Sequence, residues 1–214
     1  MRLTAKKRAQ LCVQALKTEY PDAICSLVYS NPLELLIATR LSAQCTDARV
    51  NIVTPNLFKR FPSLDDFCDG SAEEIAEIIK SCGLYKSKAK DIFAMCHMLR
   101  DVYGGVMPDT VEELIKLPGI GRKTANLVVG DIFHKPAVVT DTHFIRITGR
   151  LGLTQNKEPF KVEKDLRVVL PPDESNDFCH RTVLHGRAVC TARVAKCDIC
   201  VMSPYCKYFS KKGV

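Results

Sequence analysis

Four cysteines near the end of the chain constrain its fold more than any other feature. They follow the spacing Cys190-x6-Cys197-x2-Cys200-x5-Cys206. Four thiolates in so short a segment can enclose one metal centre, and structural zinc sites commonly pair two close C-x-x-C motifs. Here only one such pair exists, and the outer spacings are longer and unequal. Zinc also fits four cysteine ligands, but the spacing favours a structural [4Fe–4S] cluster.

The other cysteines are scattered, and the total of eleven is odd. No apolar N-terminal run with a cleavage site is present, and no stretch approaches the roughly 18 apolar residues of a membrane helix. We therefore expect a cytoplasmic protein, nucleoid-associated if its source is bacterial, that does not bind membranes. The scattered thiols are interpreted as reduced core residues: Cys12, Cys25, Cys45, Cys68, Cys82, Cys96 and Cys179.

Size and charge fit a folded protein with an anionic partner. The 214 residues, 46% of them hydrophobic, suit one domain or two small lobes. Lysines and arginines outnumber acids by 31 to 24, an excess that favours a polyanion but is also compatible with a solvated basic tail. The basic residues crowd the last part of the chain: Arg187, Arg193, Lys196, Lys207, Lys211 and Lys212.

Helical signals dominate the sequence. Ser71 with Glu74, and Thr110 with Glu113, have the spacing of capping boxes, and Asn31 is an N-cap followed by proline. A further amphipathic pattern extends from about residue 86 to 103. No alternating pattern predicts a β-sheet, so the fold class is all-α.

A second helical segment raises two expectations. Asp47 is a possible cap for the pattern that follows it, and Pro55 should kink or restart that helix.

A tight turn joins two helical patterns through Leu117-Pro118-Gly119-Ile120-Gly121, and the second helix begins at Arg122. The two glycines permit positive φ angles and a close approach of the backbone to another molecule. Free N–H groups at the start of the second helix favour a phosphate oxygen, so Pro118, Gly119, Ile120, Gly121 and Arg122 are candidate DNA contacts. The alternative is a helical corner used only for packing.

Lys123 and Asp141 are the candidate catalytic residues. Lys123 lies in the first turn of the second helix, where the dipole and Arg122 disfavour protonation and so favour a nucleophilic amine. The helix and the extended return after it span similar distances, about 15 Å, so Asp141 is expected to meet Lys123. Taken alone, a lysine like Lys123 is more often an ordinary surface residue, and Asp141 is also the expected N-cap of the next helix.

Together these motifs resemble the endonuclease III family of helix-hairpin-helix DNA glycosylases. LLIATRLSAQCTD, GLYKSKA, LPGIGRKTAN, DTHFIR, LHGR and the cysteine spacing occur in the family's order and cover nearly the whole chain. The resemblance implies two helical lobes with DNA between them. One is a six-helix domain from about residue 24 to 135, and the other is a discontinuous cluster domain from residues 1–23 and 136–214.

The resemblance also implies a bifunctional enzyme of base excision repair. It would remove oxidised pyrimidines from double-stranded DNA and cut at abasic sites, acting as a monomer with a [4Fe–4S] cluster. Lys123 would attack C1′, displace the base and form an iminium that undergoes β-elimination, with help from Asp141. Gln44 would fill the space left by the extruded nucleotide and Leu84 would wedge the duplex.

Three further residues are candidate phosphate contacts, and two positions depart from the family's pattern. Arg193 and Lys196, on the loop between the first two cluster cysteines, and Arg187 before it are candidate phosphate contacts. Thr140 and Arg40 stand where the family often has apolar or aliphatic residues. Two other functions compete with this one: an adenine-mismatch glycosylase, whose relatives usually lack the lysine, and a non-catalytic DNA-binding module.

Overall fold

The computed structural model describes residues 3–211, and all regular secondary structure in that range is helical. This confirms the predicted all-α class. The α-helices are α1 (Ala5–Glu19), α2 (Pro32–Ser42), α3 (Asp47–Arg60), α4 (Leu64–Asp69), α5 (Ala72–Ile78), α6 (Tyr85–Asp101), α7 (Val111–Leu114), α8 (Arg122–Asp131), α9 (Thr142–Leu151), α10 (Pro159–Val169), α11 (Ser175–Ala188) and α12 (Lys207–Ser210). Short 3-10 turns occupy Lys80–Cys82, Pro172–Glu174, Cys197–Ile199 and Ser203–Tyr205.

The chain divides into two compact units, each with its own apolar core. Cys25–Phe133 form one unit, in which α2 packs against α3, α6 and α8 around side chains such as Leu36 and Ile92. The described residues up to Ile24 and from His134 onward form the other. There α11 packs against α1 and α9, and the rings of Phe144 and Phe178 meet edge to face at 6.0 Å.

Side-chain caps explain where several helices begin. Asn31 Oδ1 accepts a hydrogen bond from the Glu34 amide at 3.0 Å, and proline follows at the first helical position. Ser71 and Glu74 form the reciprocal capping box that the sequence predicts. A second box, Ser63 with Asp66, opens α4 and was not predicted.

The start of α3 differs from prediction, and Pro55 does not restart the helix. Thr46, not Asp47, caps this helix, because the Thr46 hydroxyl accepts from the Arg49 amide at 3.2 Å. Pro55 lies inside α3 and does not end it. One lost backbone hydrogen bond is outweighed there by the buried face that Val50 and Leu57 present to the core.

The predicted box at Thr110 is only half formed. Thr110 accepts from the Glu113 amide, but the Glu113 carboxylate accepts from the Tyr103 hydroxyl at 3.0 Å and from Lys116 at 2.6 Å instead. With its carboxylate engaged elsewhere, Glu113 does not complete the box, and α7 is only one turn long.

The scattered cysteines are mostly buried, as expected, but Cys25 and Cys45 are partly exposed, so the interpretation as core residues is wrong for those two. Lys212 of the basic segment lies outside the described residues. Among residues 3–211, no helix combines the length and apolar character needed to span a membrane.

Candidate active site

The hairpin between α7 and α8 has the predicted tight backbone, with one difference. Gly119 has a φ of +74°, which strongly favours glycine, whereas Gly121 has a φ of −93° and is extended. The expectation of a left-handed conformation therefore holds for Gly119 alone. Gly121 serves instead as the N-cap of α8. Ile120, between them, is buried and anchors the turn to the core.

An ion pair that the sequence did not predict packs against Gly119 of the turn. Arg40 Nε donates to Asp91 Oδ2 at 3.0 Å, and the Arg40 side chain is only 14% exposed. A methyl group added at Gly119 would lie 2.6 Å from Arg40 Nε and 2.8 Å from Asp91 Cβ. Arg40, at a position where the family often has an aliphatic residue, thus supports the hairpin from below.

Lys123 is the second residue of α8, and its side chain is exposed. No side chain caps this helix at Gly121, so the amides of its first turn are available to an anion. Arg122 adds a second positive charge at the same end. The arrangement suits a backbone phosphate held beside an exposed amine.

Asp141, in the other compact unit, is the N-cap of α9, as predicted. Its Oδ1 accepts from the Phe144 amide at 2.6 Å. The carboxylate is therefore fixed by the helix start, while the side chain remains partly exposed. Thr140, just before it, is likewise partly exposed.

Gln44 and Leu84 both lie in short loops of the Cys25–Phe133 unit. Both have left-handed backbones, with φ of +54° and +46°, an uncommon conformation for residues other than glycine. Gln44 is exposed, and so is 60% of Leu84. Strained, exposed residues of this kind cluster at functional sites.

The four C-terminal cysteines line one small cavity. Its remaining walls include apolar side chains such as Ile147, Leu151, Val189, Met202 and Phe209. Within residues 3–211, no three His, Cys, Asp or Glu side chains converge closely enough to hold a single metal ion.

Two of these sulfurs lie within hydrogen-bonding distance of side-chain nitrogens. Arg150 Nη1 lies 3.2 Å from Cys190 Sγ, and His185 Nε2 lies 3.3 Å from Cys200 Sγ. Burial, followed by the neighbouring thiols, raises the pKa of Cys200 to about 11. A cationic centre would offset this penalty for the thiolate form. Donors to cluster sulfurs are also a recognised means of tuning such centres.

The loop between Cys190 and Cys197 is a compact turn. Cys190 and Ala195 form an antiparallel bridge, and Arg150 Nη1 donates to Thr191 O at 2.8 Å. Arg193 projects into solvent at its tip, whereas Lys196 Nζ donates to Ala188 O at 3.1 Å. Arg187 is exposed near the end of α11. The cation best placed to reach another molecule from this loop is therefore Arg193.

Comparison with known proteins decides the family. Residues 37–172 match the HhH-GPD superfamily of base excision DNA repair proteins. The chain is 45% identical to an endonuclease III from Synechocystis over 94% of this chain and 92% of that protein. It is 36% identical to the Escherichia coli endonuclease III over 97% and 98%. The chain belongs to the endonuclease III family.

Solved endonuclease III structures agree with this assignment. A non-covalent endonuclease III–DNA complex superposes with a TM-score of 0.89 at 42% identity, covering 99% of each chain. An endonuclease III trapped as a covalent intermediate with DNA gives a TM-score of 0.90, also at 42% identity, over 100% of each chain. The predicted helix-hairpin-helix glycosylase fold is thus confirmed.

Several residues that shape the site in this member of the endonuclease III family escaped sequence reasoning. Arg150 contacts Cys190 from α9, 40 positions away, His185 contacts Cys200 from α11, 15 positions away, and the Arg40–Asp91 pair joins α2 to α6. Two of them carried a signal: His185 belongs to the quoted LHGR motif, and Arg40 departs from the family's pattern. Lys88, inside the quoted GLYKSKA motif, is fully buried, which nothing in the motif indicates.

Proposed function

We propose that this endonuclease III family member removes oxidised pyrimidines from double-stranded DNA and cuts the strand at the resulting abasic site. The observation that carries the proposal is the exposed amine of Lys123 at the uncapped start of α8, directly after the Gly119 turn. A nucleophile and a phosphate-binding helix start are thereby built into one segment.

The chemistry assigns one covalent role to Lys123. Its neutral amine attacks C1′ of the damaged nucleotide, the bond from C1′ to the base breaks, and the departing base takes up a proton. Opening of the sugar ring gives an iminium between C1′ and Nζ. Loss of a proton from C2′ then expels the 3′ phosphate, which is β-elimination. Water finally releases the lysine.

Asp141 has an electrostatic role in the same proposal. Its carboxylate stabilises the positive charge that develops on the sugar as the base departs, and it accepts or returns protons in later steps. The hydrogen bond from the Phe144 amide supports this role, since it fixes the carboxylate without neutralising it.

DNA binding is assigned to two groups of residues. The hairpin and the cluster-side cations hold phosphates without reading sequence, while two loop residues enter the space of the extruded nucleotide. The phosphate group comprises Pro118, Gly119, Ile120, Gly121, Arg122, Arg187, Arg193 and Lys196, and the extrusion group comprises Gln44 and Leu84.

The cofactor proposed for the cysteine-lined cavity is a structural [4Fe–4S] cluster, held by Cys190, Cys197, Cys200 and Cys206. When bound, it would cross-link the C-terminal segment. Arg150 and His185 would donate to its cysteine sulfurs. Iron and sulfide analysis of anaerobically purified protein tests this assignment, and stoichiometric zinc without iron would reject it.

Three further assignments belong to the same proposal. Cys25–Phe133, which contains seven α-helices and not the expected six, would be the domain that carries the hairpin, and the remaining unit would be the cluster domain. The protein would act as a monomer. Its location would be the cytoplasm, where a bacterial chromosome lies.

Single-turnover assays test the function directly. Wild type should release an oxidised pyrimidine from duplex DNA and nick a preformed abasic site, and Lys123→Gln should do neither while still binding DNA. Lys116→Gln, which alters a nearby exposed lysine, is the matched control and should keep both activities. Equal activity of wild type and Lys123→Gln would reject the proposed nucleophile.

A further inference from the structure

Lys88, in the first turn of α6, is a cation with no exposed surface. Its ammonium donates to Leu41 O at 2.7 Å and to Cys82 O at 2.6 Å. Among the described residues it makes no ion pair with a carboxylate, so its charge is balanced only by backbone carbonyls. Burying a charge without an oppositely charged partner costs free energy, and here only the two hydrogen bonds offset that cost.

The two carbonyls lie at the ends of helical segments. Leu41 is in the last turn of α2, and Cys82 is the last residue of a 3-10 turn. The carbonyls at a helix C-terminus lack partners within the helix and carry partial negative charge. Lys88 therefore satisfies two such ends at once. Desolvation lowers the pKa of Lys88, and the nearby thiols of Cys45 and Cys82 act in the opposite direction.

Directly after those two helix ends come the loops with the left-handed residues. Gln44 lies three residues after Leu41, and Leu84 lies two after Cys82. Among the described residues, the non-glycine positions with positive φ are these two and His134. Lys88 thus fastens the chain immediately before both strained residues of this unit.

Other contacts bring the same two loops together. A Cβ at Gly83 would lie 4.0 Å from Gln44 O, so the backbones pass close to each other. Burial, followed by the charge of Cys45 and a hydrogen bond to its thiol, raises the pKa of Cys82 to about 11. The amide of Lys88 also bonds to Leu84 O at 3.0 Å. Lys88 is accordingly tied to both loops.

We propose that Lys88 is a positioning residue for nucleotide extrusion, holding the Gln44 and Leu84 loops in their strained, exposed conformation. It acts through these residues and does not touch the DNA. The inference rests on the proposed function, because only an enzyme that extrudes a nucleotide needs both loops preset. It concerns the cost of taking a paired base out of the duplex and leaves the chemistry at Lys123 unchanged.

The test compares Lys88→Met with wild type on one oxidised pyrimidine in two settings. In the first, the lesion is paired in a duplex, and in the second it lies in an unpaired bulge, where extrusion is cheaper. We expect the single-turnover rate, normalised to active enzyme, to fall at least tenfold on the paired lesion and less than threefold on the bulge. Lys90→Met, an exposed change one position after Ala89 on α6, is the control and should leave both rates unchanged.

A double-mutant cycle distinguishes the positioning of Leu84 from a general loss of stability. Once Leu84 is truncated to alanine, Lys88→Met should cost less than threefold more on the paired lesion. If Lys88→Met does not fold, Lys88→Gln takes its place. Hydrogen exchange of the Gln44 and Leu84 amides should then be at least tenfold faster than in wild type.

The outcomes separate this inference from the proposed function. Equal losses on paired and bulged lesions, a full tenfold loss in the Leu84→Ala background, or unchanged loop exchange in Lys88→Gln would each overturn it. A wild-type protein inactive on both lesions would instead reject the proposed function.

Discussion

Replacing Gly119 by alanine should destabilise this protein far more than the same change at Gly121, only two residues away. Two costs combine at Gly119. Its φ of +74° is unfavourable for any residue with a Cβ, by about 1–2 kcal/mol. The new methyl group would also lie 2.6 Å from Arg40 Nε, which is too close for any real contact.

The second cost depends on whether Arg40 can move. Its side chain is 14% exposed and bonded to Asp91, so displacing it breaks a charge-assisted hydrogen bond worth about 1–3 kcal/mol. We therefore expect Gly119→Ala to lower the free energy of unfolding by about 2–5 kcal/mol. Gly121 has an extended backbone with nothing within 4 Å of an added Cβ, so its change should cost less than about 1 kcal/mol.

Urea unfolding of both variants, monitored by circular dichroism, measures the difference. Arg40→Ala provides a further check, because without its guanidinium the added cost of Gly119→Ala should fall by about 1 kcal/mol or more. Equal destabilisation at Gly119 and Gly121 would refute the argument. So would a cost at Gly119 that is independent of Arg40.

Two other predictions concern carboxylates. Asp141→Asn should keep the stability of α9, because asparagine also caps helices, yet lose most glycosylase activity, whereas Asp141→Ala should lose activity and also about 1 kcal/mol in the free energy of unfolding; equal activity of Asp141→Asn and wild type would contradict the catalytic role. Hydrogen bonds from Thr154 and Asn156 lower the pKa of Asp165. The stability that these hydrogen bonds add to the folded protein should be complete above the pKa of the unfolded state, 3.8. It should be lost as the pH falls through the lower pKa of the folded state. Acid titration of unfolding should therefore be less steep for Asp165→Asn than for wild type, and identical curves would rule this out.

Local signals in the sequence were reliable where a single short contact determines the structure. Asn31, Ser71 and Asp141 cap helices as predicted, because each side chain accepts a hydrogen bond from the amide three residues ahead. The spacing of the four C-terminal cysteines predicted that they lie close together, and all four line one cavity.

Features that depend on distant residues were not predictable. Arg40 pairs with Asp91 across 51 positions, and Lys88 bonds Leu41 across 47. A capping pattern also fails when a competing partner is near, as with Glu113 and Tyr103. Nothing in the local sequence indicates such partners.

Borohydride trapping followed by peptide mapping tests the central claim most directly. The protein is incubated with duplex DNA that contains one abasic site, the iminium is reduced to a stable amine, and the linked peptide is sequenced by mass spectrometry. We predict an adduct on Lys123 in wild type and in Lys116→Gln, and none in Lys123→Gln. An adduct on another residue, or no adduct with wild-type protein that binds this DNA, would contradict the proposed mechanism.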